Sequence, residues 1–101
     1  MGVMLNFKLK VTQEDIDNGK QGCNISCPIA LALRKYLNKS AKDVSVTAKY
    51  FRVWPNRFST TPEIEDFIGR FDFGGKHAVK PTEFDFSQCY TLESPGYDPS
   101  L

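Results

Sequence analysis

Histidine occurs once in these 101 residues, tryptophan once and cysteine three times, and each scarcity narrows the chemistry. General acid–base catalysis uses paired titratable groups. The lone His77 follows Gly74, Gly75 and Lys76 and reads as a solvated surface residue. The three cysteines, Cys23, Cys27 and Cys89, are an odd number. The opening residues MGVMLNFKLK lack the basic stretch, apolar block and small-residue cleavage site of a secretory signal. The expectation is therefore a reducing, cytoplasmic compartment rather than a disulfide framework. Asn6 breaks the myristoylation pattern. No apolar run approaches the roughly 18–20 residues that cross a bilayer, so no membrane partner is expected. Gly74–Gly75 lacks the further glycines, lysine and hydroxyl of a phosphate loop. An aromatic RNP-type sequence, a helix-turn-helix spacing and a GXXG loop are absent as well. No catalytic residue and no cofactor are assigned, and the chain is read as a non-enzyme.

What is present describes a globular domain: 41% hydrophobic, 13% aromatic and 25% charged residues. The length fits one core, placed in residues 1–93, with 94–101 (two prolines and a glycine) as a flexible tail.

Within that span, Val3, Leu5, Phe7, Leu9 and Val11 alternate with polar or exposed positions, a half-buried strand. Thr12 caps a short helix with Asp15 at its third position, flanked by the apolar staple Val11 and Ile16, and Gly19 ends it. A second helix runs from Pro28 to about Lys39, with Ile29, Ala30, Leu33, Tyr36 and Leu37 on one face. Leu31 falls on the polar side of that wheel without explanation. From Val44 to Trp54 the chain is β-rich, but its apolar parity inverts: Val44, Val46 and Ala48 on one face, Phe51 and Val53 on the other. A one-residue slip inverts a strand's faces, so a bulge or tight turn is expected near residues 48–50, in either a bent strand or a hairpin. Residues 54–57 read as a loop. Thr61 then caps a helix that begins at Pro62 and carries Ile64, Phe67, Ile68 and Phe71 at i, i+3, i+4 and i+7; Gly74 is its expected left-handed cap. Asp72 opposes the helix dipole there and is expected to bond the following loop. Phe84, Phe86, Tyr90 and Leu92 outline a last strand. The order predicts an α+β fold: a small, mostly antiparallel sheet of three to four strands with two main helices packed on one face.

The net charge of +1 conceals a segregation. Residues 19–62 hold eight basic side chains against one acid, and residues 63–101 hold three against eight. Such polarity favours anionic partners in a salt-dependent way. Tyr50, Arg52, Trp54 and Arg57 are read as a stacking and anion-contacting strip, extended by Lys35, Lys39 and Lys49. Tryptophan, tyrosine and arginine also dominate protein interfaces.

Four segments in order carry a resemblance: residues 12–19 (TQEDIDNG), 27–33 (CPIALAL), 67–74 (FIGRFDFG) and 81–86 (PTEFDF). Together they resemble a family of small uncharacterised proteins of bacteriophages and bacteria that share a threonine-capped turn, a C-P-[IV]-A-L-A-L helix start and an F-I-x-x-F-D-x-G helix end. The resemblance implies a phage setting and a cytoplasmic site of action, and carries no catalytic or binding residue onto this chain. The leading functional expectation is a non-enzymatic, phage-type accessory protein that binds a macromolecular partner, a host protein among the candidates. The first alternative is nucleic-acid or nucleotide binding through the basic aromatic strip. The second is a structural zinc protein using Cys23, Cys27, His77 and Cys89.

Overall fold

The computed structural model describes residues 6–54 and 56–89. Strand β1 (Lys8–Val11) exposes its two lysines and buries Leu9 and Val11, the period-two pattern expected; the positions before Asn6 lie outside the described residues. At Thr12 the chain turns into α1 (Gln13–Asn18) through a reciprocal cap. The Thr12 hydroxyl accepts from the Asp15 N–H at 3.2 Å, and the Asp15 carboxylate accepts from the Thr12 N–H at 3.0 Å. Val11 and Ile16 are buried on either side, and Gly19 closes the helix.

Helix α2 (Pro28–Leu37) starts on Pro28 and ends on Asn38, whose φ of 55° is the left-handed cap that asparagine tolerates. Ile29, Ala30 and Leu33 are buried. Tyr36 departs from the expected apolar face: it is 56% exposed, with its ring stacked on Phe7 at 4.6 Å between centroids. Leu31 finds its reason here, because α2 has a second neighbour. It is half-buried in the groove between α2 and α1.

The parity inversion is a hairpin. β2 (Val44–Val46) and β3 (Tyr50–Val53) pair antiparallel, joined by a turn in which the Thr47 N–H and hydroxyl both donate to the Tyr50 carbonyl, at 2.8 and 2.6 Å. The loop expected at 54–57 is corrected: β4 (Asn56–Ser59) begins at once, with Val53 paired to Asn56. Only two residues make that reversal, so Arg57 belongs to a strand. The strand is short and buries both Phe58 and Ser59 at its end, which erases the alternation that identifies strands in a sequence.

Helix α3 (Pro62–Gly74) is capped by Thr61, whose hydroxyl accepts from the Ile64 N–H at 3.2 Å. Ile64, Phe67, Ile68 and Phe71 are buried. The left-handed residue is Gly75, with φ 77°, rather than Gly74, because the helix runs through Gly74 into a 3-10 turn, Gly75–Ala78. Asp72 bonds an earlier loop, not the following one. Its carboxylate accepts from the Gly22 N–H at 2.9 Å, and its carbonyl accepts from the Gln21 side-chain amide at 3.0 Å. Those bonds fasten residues 20–26 to the end of α3.

The last strand, β5 (Thr82–Asp85), is shorter than expected. The Asp85 carboxylate accepts from the Ser87 N–H at 2.9 Å and the Ser87 hydroxyl at 2.6 Å. This local turn bends the chain into a 3-10 segment, Phe86–Gln88. The same two Ser87 donors hold the Asp85 carboxyl below its ordinary range. Tyr90, Leu92 and the 94–101 tail lie outside the described residues.

The α+β class and the antiparallel pairing are as expected, but the strands form two ladders instead of one sheet. β1 pairs with β5, and β2, β3 and β4 pair in sequence order. Helix α2 lies against both β1 and β2 and spans the two. Leu33, Phe67 and Phe84 share one buried cluster with Leu9, Val44 and Phe51, and Phe7 packs against it.

Candidate functional site

Strand alternation assembles half of the strip expected from sequence. Phe51 and Phe58 stand opposite each other and point inward, stacked at 5.2 Å. Their neighbours therefore point outward. The outer face of the three-stranded sheet carries Ser45, Arg52 and Arg57 in one cross-strand row, with Tyr50 diagonal to Arg57. The Arg57 guanidinium lies 5.1 Å from the Tyr50 ring centroid, within cation–π range. Trp54 sits at the β3–β4 reversal. Its backbone N–H is tied to the Asp43 carbonyl at 2.8 Å while its side chain is 60% exposed.

The ladder also fixes how near the two arginines lie. Thr47 and Trp54 donate to the carbonyls of Tyr50 and Asp43, which makes Ser45–Arg52 a hydrogen-bonded pair between β2 and β3. Thr60 donates to the Lys49 carbonyl across β3 and β4. By antiparallel alternation, Arg52–Arg57 is then a non-hydrogen-bonded pair, the kind with the closer side chains. Among the described residues no carboxylate lies within ion-pair distance of either guanidinium.

The lysines do not join this face as a continuous track. Lys49, at the β2–β3 turn, is 2.7 Å from the Glu65 carboxylate of α3. Lys35 is 2.7 Å from Asp15 and 3.8 Å from Glu14. With Lys39 it lines an open groove of about 490 Å³ between α1 and α2. The Lys35–Asp15 contact has no sequence signature, since it joins two helices that only tertiary packing brings together. Phe73 likewise has no sequence signature as a surface feature. It lies off the buried stripe of α3 and is 95% exposed.

The four residues of the zinc alternative do not assemble. Among the described residues no three His, Cys, Asp or Glu side chains gather as metal ligands. Cys23 and Cys27 line a cavity of about 200 Å³ beside Asp72 and Ile68. His77 is exposed in a different groove, near Asp66 and Arg70, which are themselves paired at 2.8 Å. Cys89 is buried in the core. The thiols differ chemically. Hydrogen bonds from the Ile25 N–H and from Ser26 draw Cys23 below its ordinary range. Burial pushes Cys27 up and Cys89 up to about 11. Iodoacetamide at neutral pH is therefore expected to modify Cys23 first, with Cys27 and Cys89 reacting only on unfolding. Intact mass against time reads this directly. Equal reaction of all three thiols in the native protein would contradict it.

Among the described residues no helix is long and apolar enough to cross a membrane. Comparison with protein-family models, curated proteins and solved structures finds no match.

Proposed function

We propose that the chain is a non-enzymatic accessory protein that binds a protein partner through the outer face of the β2–β3–β4 sheet, with Trp54 as the anchor. The observation that carries this reading is the exposure of Trp54 on a hydrogen-bonded reversal, next to Tyr50, Arg52 and Arg57. A large ring on a fixed backbone contributes contact area with little ordering cost, and these residue types concentrate interface energy. The motif resemblance to phage-encoded proteins makes a host protein the natural partner, and the free thiols suit a cytoplasmic site of action.

Ion pairing favours a protein partner over nucleic acid. A polyanion needs a run of unpaired cations along its backbone, whereas Lys49 and Lys35 are held by Glu65 and Asp15. Nucleic-acid binding is the alternative. It predicts affinity that falls steeply between about 50 and 200 mM salt.

The test is capture of a partner from nuclease-treated host lysate by tagged wild type and by Trp54→Ala. Hot-spot truncation costs about 2 kcal/mol or more in binding, so the specific partner band should fall at least tenfold. The thermal midpoint of the variant should stay close to that of wild type, because the side chain is solvent-facing. An undiminished band with Trp54→Ala would refute the reading.

A further inference from the structure

We infer that Arg52 and Arg57 form a two-guanidinium fork that receives the carboxylates of an extended acidic segment of the partner protein. This rests on the partner-binding reading above and names the chemistry that the sheet face selects. Two like charges directly opposite on a sheet destabilise it, and here they occupy the closer type of antiparallel pair. The fold supplies no counter-charge to them among the described residues. The polar neighbour in the same row, Ser45, accepts from the Asn24 amide at 3.2 Å. Asp43, beside Trp54 in the ladder, has its carboxylate bonded to the Ser40 hydroxyl. Both nearby polar groups already have a partner, and Arg52 is exposed while Arg57 is half-buried.

The geometry of Arg57 suits a carboxylate. Its guanidinium lies over the Tyr50 ring at 5.1 Å from the centroid, and a cation–π contact of this kind supplies no carboxylate partner. The in-plane N–H donors stay available for a two-point bond to a planar carboxylate. Charge decides between anionic partners. Two cations with no ion-pair partner among the described residues match one or two carboxylates, whereas a phosphate backbone needs a longer run of such cations, and the next one, Lys49, is held by Glu65. Trp54 adjoins the arginine row through the ladder and offers an apolar surface to a neighbouring side chain of the same segment. The preferred ligand is therefore a short stretch with aspartate or glutamate beside an apolar residue.

The fork has a signature that a structural arginine would not show: removing one member relieves repulsion in the free protein while it weakens binding. The experiment uses the full chain and three fluorescein-labelled probes: a glutamate–leucine peptide, its lysine–leucine counterpart and an oligothymidylate. Wild type should bind the acidic peptide alone. Arg52→Gln and Arg57→Gln should each weaken that binding by about tenfold or more. Arg52→Gln should melt at or above the wild-type temperature, and the acidic peptide should raise the midpoint of wild type but not of this variant. Binding of the acidic peptide that survives both substitutions, or a lowered midpoint in Arg52→Gln, would overturn the fork. So would preferential, salt-sensitive binding of the oligothymidylate. In the lysate assay, loss of capture with Trp54→Ala but not with either arginine variant would overturn the fork and leave the partner-binding reading standing. Undiminished capture with Trp54→Ala would overturn the latter.

Discussion

Phe86→Ala is expected to remove a large share of the stability of the fold. Phe86 is fully buried and stands at the junction of a row of rings that runs from solvent into the second sheet. Tyr36 stacks on Phe7 at 4.6 Å and Phe7 on Phe86 at 5.2 Å; Phe86 meets Phe51 edge-on at 5.3 Å, and Phe51 stacks on Phe58 at 5.2 Å. The row joins α2, the segment before β1, the turn after β5 and the β3–β4 hairpin, so its middle member couples both ladders. Truncating a buried phenylalanine costs about 3–5 kcal/mol through lost transfer energy and a residual cavity. Domains of this size are stable by about 5–15 kcal/mol in total. Urea unfolding followed by circular dichroism should show a midpoint shifted far toward zero denaturant. Tyr36→Ala, at the exposed end of the row, serves as the control and should cost about 1 kcal/mol or less. Near-equal effects of the two substitutions would mean that Phe86 is not the junction described.

Asp15→Ala should be the most damaging polar substitution, at about 2–3 kcal/mol. The side chain is 3% exposed. It accepts from the Thr12 N–H and hydroxyl, both at 3.0 Å, and from the Lys35 ammonium at 2.7 Å. Loss of an N-terminal cap costs about 1 kcal/mol, and a charged hydrogen bond contributes about 1.5–3; half of Lys35 lies in solvent, so its share belongs at the lower end. Urea unfolding of the variant reads the sum, and a loss below about 0.5 kcal/mol would show that water replaces these partners. The pair also sets an alkaline limit. The hydrogen bond that the Lys35 ammonium donates to the Asp15 carboxylate holds it above its ordinary range, with Glu14 adding to the effect. The folded state therefore binds this proton more tightly than the unfolded chain does. Its contribution is complete below the unfolded lysine value near 10.4 and is lost as pH rises through the higher folded value. Asp15→Asn should flatten that alkaline decline.

The capping signals were the most legible part of the sequence. Thr12 with Asp15, Pro28, and Thr61 with Pro62 each mark a helix start, because such caps are settled by bonds within a few residues. The stripe Ile64, Phe67, Ile68, Phe71 was equally readable, since one helix face met one core. Legibility ended where a partner distant in the chain decides the outcome. β4 was hidden by a two-residue reversal and by burial of both Phe58 and Ser59. Phe86 looked like a strand residue until the Asp85–Ser87 bonds turned the chain. Tyr36 has helix-face spacing, yet it meets the half-buried Phe7 at the rim of the core and stays exposed itself. On the candidate face, Tyr50, Arg52, Trp54 and Arg57 were identified by residue type alone. Arg57 follows a Trp-Pro-Asn stretch that has loop chemistry, and only the β3–β4 register brings it opposite Arg52. Lys35 and Lys49 were grouped with them by charge, and the carboxylates that neutralise them come from other elements.

Pairing of β1 with β5, Lys8 opposite Asp85, makes the chain close on itself, and that has a consequence for its birth. A ribosome delivers residues 8–11 early, but their hydrogen-bonding mate follows only after every other helix and strand has been translated. The hydrogen-bonding edge of β1 must therefore stay unpaired until residue 85 has left the exit tunnel, although helix α2 can cover Leu9 and Val11 before then. Pairing of the first strand is a late event, with the aggregation exposure that an open strand edge brings.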